Sequence, residues 1–139
     1  MTRRELRENT FILLFHKEFH EIEEMEEQFN LFMEEYNDIQ SEAFRQMSEK
    51  DRHFIHDRVF DIMPKLKDID EAINSVAEGW STGRMGRVDL TILRLAYYEI
   101  KYDDDVPEAV AINEAVELAK KFGGETSPAF INGILAKVV

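Results

Sequence analysis

Apolar residues recur at spacings of three and four along nearly the whole chain, and no stretch alternates long enough to predict a strand. This is the period of an α-helix whose one face is buried. With 139 residues, 44% of them hydrophobic, the chain can bury one core but is short for two ordinary domains and a linker. We therefore expect a single all-α domain of about seven helices.

Helix ends are marked by capping residues, prolines and glycines. Ser48 followed by Asp51 predicts the start of a helix, and Pro64 predicts a break or sharp kink. A loop is expected around Gly79, Gly83 and Gly86, and it predicts two small packed sub-bundles at about 1–80 and 84–139.

Two apolar stripes predict the buried faces of helices on either side of Pro64. The fifth helix, about Arg87 to Tyr102, carries apolar residues on two sides and is expected to be packed between other helices. The predicted stripes are Ile22, Met25, Phe29, Phe32 and Tyr36 in the second helix, and Leu66, Ile69, Ile73, Val76 and Trp80 in the fourth.

The acidity of the chain is local. The net charge of −12 argues against a protein that binds nucleic acid through bulk positive charge. However, residues 18–42 contain ten Asp or Glu and no Lys or Arg, so the rest of the chain carries only −2. Residues 1–17 carry a local charge of +2.

Several classes of protein are disfavoured by what the sequence lacks. There is no cysteine, which excludes disulfides and thiolate metal sites and fits a reducing compartment, so a cytoplasmic protein is expected. No apolar run reaches the ~20 residues needed to cross a bilayer, so no membrane role is expected. The pairs His16/His20 and His53/His56 lack the glutamate of the HExxH pattern, and no cofactor motif is present. We expect no metal, no cofactor and no enzyme activity.

The first helix begins with three arginines, Arg3, Arg4 and Arg7, which we call the arginine turn. They share an arc of about 100° with the apolar residues that follow on the same helix. One face cannot bury both sets at the same depth, so the arginine turn is expected to overhang the core and project into solvent. It can bind phosphates there; the alternative is an ordinary solvated helix start.

A second candidate is KKFGGETSPAF, residues 120–130, which we call the aromatic loop. Lys120 and Lys121 precede a Gly-Gly turn flanked by Phe122 and Phe130. Such aromatics can stack on unpaired bases while the lysines hold phosphate. The alternative is that both rings complete core faces of their helices.

The segments TRRELRENTFILLF (2–15) and RMGRVDLTILRLAYYEIKYDDDVPEAVAINEAVELAKKFGGETSPAFINGIL (84–135) resemble the NusB family of bacterial transcription antitermination factors. The resemblance implies two small helical bundles and a non-enzymatic role. It implies binding of the single-stranded boxA element of nascent ribosomal RNA together with the ribosomal protein NusE. That complex helps RNA polymerase read through terminators.

The resemblance also implies roles for individual positions. Arg3, Arg4 and Arg7 match the basic motif that meets RNA in the family, and Phe15 stands where the family often has tyrosine. Asp89 matches an acidic position that faces NusE. The second RNA-contacting segment of the family is matched by Phe122, Thr126 and Phe130.

Two other functions remain open at this point. The acidic second helix would repel RNA if it lined the RNA path, which leaves a protein-interaction module with little RNA binding of its own. An RNA-binding protein requires that helix to face away from the arginine turn. NusB-like domains also begin some ribosomal RNA cytosine methyltransferases, a function that would need a cofactor domain this sequence does not contain.

Overall fold

The computed structural model describes residues 1–40 and 47–139. Across these residues the chain forms seven α-helices and no strand, which confirms the all-α prediction. Short 3₁₀ turns lie at Ile22–Glu24, Met63–Lys65 and Thr82–Arg84. The helices are α1 (Arg3–His16), α2 (Met25–Gln40), α3 (Glu49–Ile62), α4 (Leu66–Val76), α5 (Arg87–Tyr102), α6 (Glu108–Phe122) and α7 (Ser127–Ala136).

The chain forms two compact units, Met1–Met63 and Pro64–Val139. The division falls at Pro64, where the sequence predicts a break, and not at the loop near residues 80–84 that was expected to separate the sub-bundles. The reason is that α4 packs on α5, so it belongs with the helices that follow it.

The helix starts follow the capping chemistry of the sequence. Thr2 Oγ1 accepts a hydrogen bond from the Glu5 amide at 3.1 Å, and the Glu5 carboxylate accepts one from the Thr2 amide at 3.0 Å. Ser48 Oγ accepts from the Asp51 amide at 3.1 Å, so the predicted start of α3 is confirmed.

In the N-terminal unit, α1 packs against α2 and α3. Phe11 and Leu14 of α1 and Phe29 of α2 are buried, as the apolar spacing predicts. Ile22 departs from its predicted stripe, since its side chain is 51% exposed. It lies in a 3₁₀ turn before α2, so the helical phase that would bury it has not yet begun.

In the C-terminal unit, α5 has the bounds predicted for it and packs against α4, α6 and α7. The Arg94 guanidinium donates two hydrogen bonds to the Asp70 carboxylate, at 2.9 and 2.8 Å, and so links α5 to α4. The prediction of a helix packed on two sides is confirmed by its buried residues, which are Leu90, Thr91, Ile92, Leu93, Leu95, Ala96, Tyr98 and Glu99.

Trp80 is not part of the α4 core stripe, contrary to the prediction. Helix α4 ends at Val76, and the chain turns at Gly79, whose φ of 78° is a conformation that favours glycine. Trp80 follows this turn and its side chain is 50% exposed. The apolar spacing of the sequence continues past the point where the helix stops.

Among the residues described, no helix is both long and apolar enough to cross a membrane.

Candidate nucleic-acid interface

The arginine turn opens α1 and is anchored by a contact to α3. The amino terminus of Met1 lies 2.9 Å from Asp51 Oδ2, and its hydrogen bond holds the pKa of that carboxyl below its usual range. Arg3 and Arg4 are exposed and Arg7 is half-buried. Two of the three arginines are therefore solvent-accessible, whereas Arg7 is partly covered, and their role in binding phosphates stays a prediction.

Phe15 lies between a buried ring and an exposed one. Its ring centroid is 6.2 Å from that of Phe11 and 5.2 Å from that of Phe19. Phe15 is half-buried and Phe19 is 65% exposed. Phe19 is not among the predicted site residues, although the four-residue spacing of the three phenylalanines is a signal that points to it.

The acidic helix α2 contacts the carboxyl-terminal end of α1. The Phe32 ring lies 6.2 Å from His16, and burial, followed by the charge of His20, lowers the pKa of His16. With a rise of about 1.5 Å per residue, His16 is about 13 Å along α1 from Arg7, which exceeds the screening length of about 8 Å at physiological salt. The direction in which the acidic helix faces relative to the arginine turn stays a prediction.

The aromatic loop joins α6 to α7. The Ser127 hydroxyl is buried and accepts a hydrogen bond from the Gly124 amide at 3.0 Å. Phe122 and Phe130 are both half-buried, so each ring partly packs and partly faces solvent. The outcome falls between the two sequence-based alternatives, because neither ring is wholly core and neither is wholly free to stack.

The lysines of the aromatic loop differ in their surroundings. Lys120 Nζ lies 3.3 Å from Glu117 Oε1, which partly offsets its charge. Lys121 Nζ lies 5.5 Å from the centre of the Phe122 ring. Both lysines are exposed, and Glu117 is a neighbour that the three-residue spacing could have predicted.

Thr126 and Asp89 lie at the starts of two helices of the C-terminal unit. Thr126 is exposed at the N-cap of α7 and its side chain makes no capping hydrogen bond. Asp89 is half-buried in the first turn of α5, where a negative charge suits the helix dipole. Neither residue is buried, so both are placed where a partner can reach them.

Across the described part of the chain, no group of three or more His, Asp or Glu side chains is arranged to hold a metal ion. The aromatic loop offers an exposed cation, Lys121, beside the partly exposed ring of Phe122. That combination suits an unpaired nucleic acid, whose phosphates and bases need different contacts.

The family model described as the NusB family matches residues 4–139. The chain belongs to the NusB family. The match includes Arg4, Arg7 and the whole aromatic loop.

Curated NusB relatives align with the chain over nearly its whole length. A transcription antitermination protein NusB from Lachnoclostridium phytofermentans is 48% identical over 139 residues, covering 100% of this chain and 99% of the relative. Another from Agathobacter rectalis is 44% identical over 137 residues, covering 99% of this chain and 98% of the relative.

Solved structures share the fold of this NusB-family chain. The T. maritima NusB structure is 33% identical with a TM-score of 0.82, covering 99% of this chain and 90% of that one. A chain in the crystal structure of antitermination factors NusB and NusE in complex with dsRNA is 23% identical with a TM-score of 0.80, covering 98% and 94%. Because its identity is only 23%, the second comparison shows that the fold is shared and nothing more.

The geometry of the aromatic loop predicts that Gly123 is essential to it and that Gly124 is not. A Cβ at Gly123 would lie 2.7 Å from Ser127 Cβ and 2.8 Å from the Ala119 carbonyl oxygen. We expect Gly123→Ala to lower the free energy of unfolding by about 1–3 kcal/mol, measured by urea denaturation.

Gly124→Ala is the matched control, because its Cβ would have Ser127 Oγ as its nearest neighbour, at 4.0 Å. It should change the free energy of unfolding by less than about 0.5 kcal/mol. Equal losses in the two variants would contradict this geometry of the loop.

Proposed function

We propose that this chain is a non-enzymatic transcription antitermination factor of the cytoplasm. It binds the single-stranded boxA element of nascent ribosomal RNA together with NusE, and so helps RNA polymerase read through terminators. The observation that carries the proposal is the NusB family match over residues 4–139, which covers Arg4 and Arg7 of the arginine turn and the whole aromatic loop.

The arginine turn supplies the phosphate contacts. Arg3 and Arg4 extend from a capped, anchored helix start, so they meet a backbone phosphate without first ordering the chain. Such contacts position the RNA and make its affinity depend on salt. Phe15, with its exposed neighbour Phe19, offers an apolar surface farther along the same helix.

The aromatic loop supplies contacts to bases. Phe122 and Phe130 present part of each ring to solvent, and Lys120, Lys121 and Thr126 add exposed polar groups around them. Stacking on such rings tolerates different bases, so this segment adds affinity without a strict sequence code.

A protein of net charge −12 cannot attract RNA through its overall field. The affinity of the chain alone is therefore modest, and a basic ribosomal protein partner supplies the missing contacts. Asp89 at the start of α5 is the proposed contact to NusE. A chain of the same fold occurs in a crystal structure of antitermination factors NusB and NusE in complex with dsRNA.

Replacing two cations of the arginine turn tests the phosphate contacts. We expect Arg4→Ala plus Arg7→Ala to weaken binding of a fluorescent boxA RNA by about tenfold or more at low salt, measured by anisotropy. Because each single-strand phosphate contact contributes about 0.7 to the slope of log affinity against log salt, the slope should fall by about 1.4.

The matched control is Arg58→Ala plus Lys67→Ala, which changes the net charge equally at positions outside both segments. It should leave the affinity and the salt slope near their original values. The same loss in both double variants would mean that only net charge matters, and would remove the arginine turn from the RNA site.

The alternative function is a protein-interaction module with little RNA binding, which the ten acids in residues 18–42 favour. Capture of NusE, measured with and without boxA RNA, separates the two functions. A binding factor captures RNA and NusE together, whereas an interaction module captures NusE and leaves RNA in solution.

Asp89→Asn tests the partner contact in the same assay. We expect it to weaken NusE capture while leaving RNA binding by the chain alone unchanged, because the carboxylate is proposed to meet protein. Asp104→Asn, on the exposed turn after α5, is the control. Unchanged NusE capture by the Asp89 variant would exclude this contact.

A further inference from the structure

Trp80 is the one tryptophan of the chain, and it lies on the surface. Its side chain is 50% exposed, although an indole is the side chain with most apolar area to gain from burial. No role in the core explains it, since it follows α4 instead of lying on the buried face of that helix.

The Trp80 side chain has two neighbours, the Phe130 ring of the aromatic loop and the Arg84 guanidinium. Its ring centroid is 5.6 Å from that of Phe130, with the planes at 75°, an edge-to-face pair. The Arg84 guanidinium lies 5.9 Å from the indole centre. An exposed indole, a partly exposed phenyl ring and an exposed arginine are therefore adjacent within the C-terminal unit.

The backbone holds Trp80 in place. Its amide donates to the Ala77 carbonyl at 3.1 Å, closing the turn that Gly79 permits with its φ of 78°. Two residues on, the Thr82 amide donates to Asn74 Oδ1 at 2.7 Å, which ties this loop back to α4.

The far end of the loop is fixed as well. The Arg87 guanidinium donates to the carbonyls of Thr82 and Met85, each at 2.8 Å. A platform anchored at both ends loses little conformational entropy when a ligand stacks on it.

We propose that Trp80, Arg84 and Phe130 form a further binding site, in which an unpaired RNA base stacks on the indole while Arg84 holds the neighbouring phosphate. This inference rests on the proposed function and extends it to Trp80 and Arg84, which the family resemblance does not assign. Single-strand binding proteins combine the same elements, an aromatic platform and a nearby cation.

The tryptophan itself reports on the site. We expect titration of the full chain with boxA RNA, in the presence of NusE, to quench the Trp80 emission as binding saturates. The same titration with Trp80→Phe records any signal that arises from NusE, and subtracting it isolates the indole. The Arg4→Ala plus Arg7→Ala variant should show the same final quenching, but only at higher RNA concentration.

Affinity gives the second measurement. Trp80→Leu keeps apolar bulk but removes the aromatic ring, and it should weaken RNA binding by about tenfold, within the range of one lost base stack. Its salt slope should stay unchanged, because no phosphate contact is removed. Trp80→Phe should lose less, since a smaller ring remains.

The outcomes separate this site from the proposed function. If the original chain binds RNA without quenching, and Trp80→Leu binds equally well, the site is wrong and the proposed function stands. If no RNA binds with or without NusE, both fail. If Trp80→Leu does not fold, judged by circular dichroism, the quenching of the original chain and the affinity of Trp80→Phe decide.

Discussion

Burial of α5 on two sides is the interaction on which the C-terminal unit depends. Eight of its residues are buried, and α4, α6 and α7 all pack against it. Because these helices share one core, the loop before α5 and the loop between α6 and α7 are fixed relative to each other. Trp80 and Phe130 meet for this reason, although fifty positions separate them in the sequence.

The N-terminal unit exposes positive charge at the start of α1, although the chain as a whole is acidic. The cap at Thr2 and the contact of Met1 with Asp51 fix the first turn of α1, and the arginines extend from it. Helix α2, which carries five of the ten acids in residues 18–42, contacts α1 at His16. Phosphate attraction decays over about a Debye length, so where the charges lie matters more than their sum.

Local chemistry allowed much of this fold to be predicted. Capping at Ser48, the break at Pro64 and the bounds of α5 all follow from interactions between near neighbours in the sequence. The candidate segments could be located because arginines at a helix start and lysines beside aromatics are visible as patterns. The family resemblance, carried by residues 2–15 and 84–135, then implied that these segments contact RNA.

The features that the sequence did not predict depend on where helices end and on which residues pack together in the core. Trp80 and Ile22 fit a helical period but lie beyond the ends of the helices, because periodicity does not report a terminus. The half-burial of Phe122 and Phe130 depends on tertiary neighbours. The boundary between the units depends on α4 packing with α5, a contact that no local pattern encodes.

We propose that RNA contacts the arginine turn and the aromatic loop, and that the acidic helix α2 does not take part. Amide chemical-shift mapping of the full chain, titrated with boxA RNA in the presence of NusE and compared with NusE alone, tests it most directly. We expect RNA to shift the amides of residues 3–7 and 122–130 and the Trp80 indole, and to leave Met25–Tyr36 of α2 nearly unchanged. Shifts concentrated on α2, or confined to residues outside both segments, would contradict the claim.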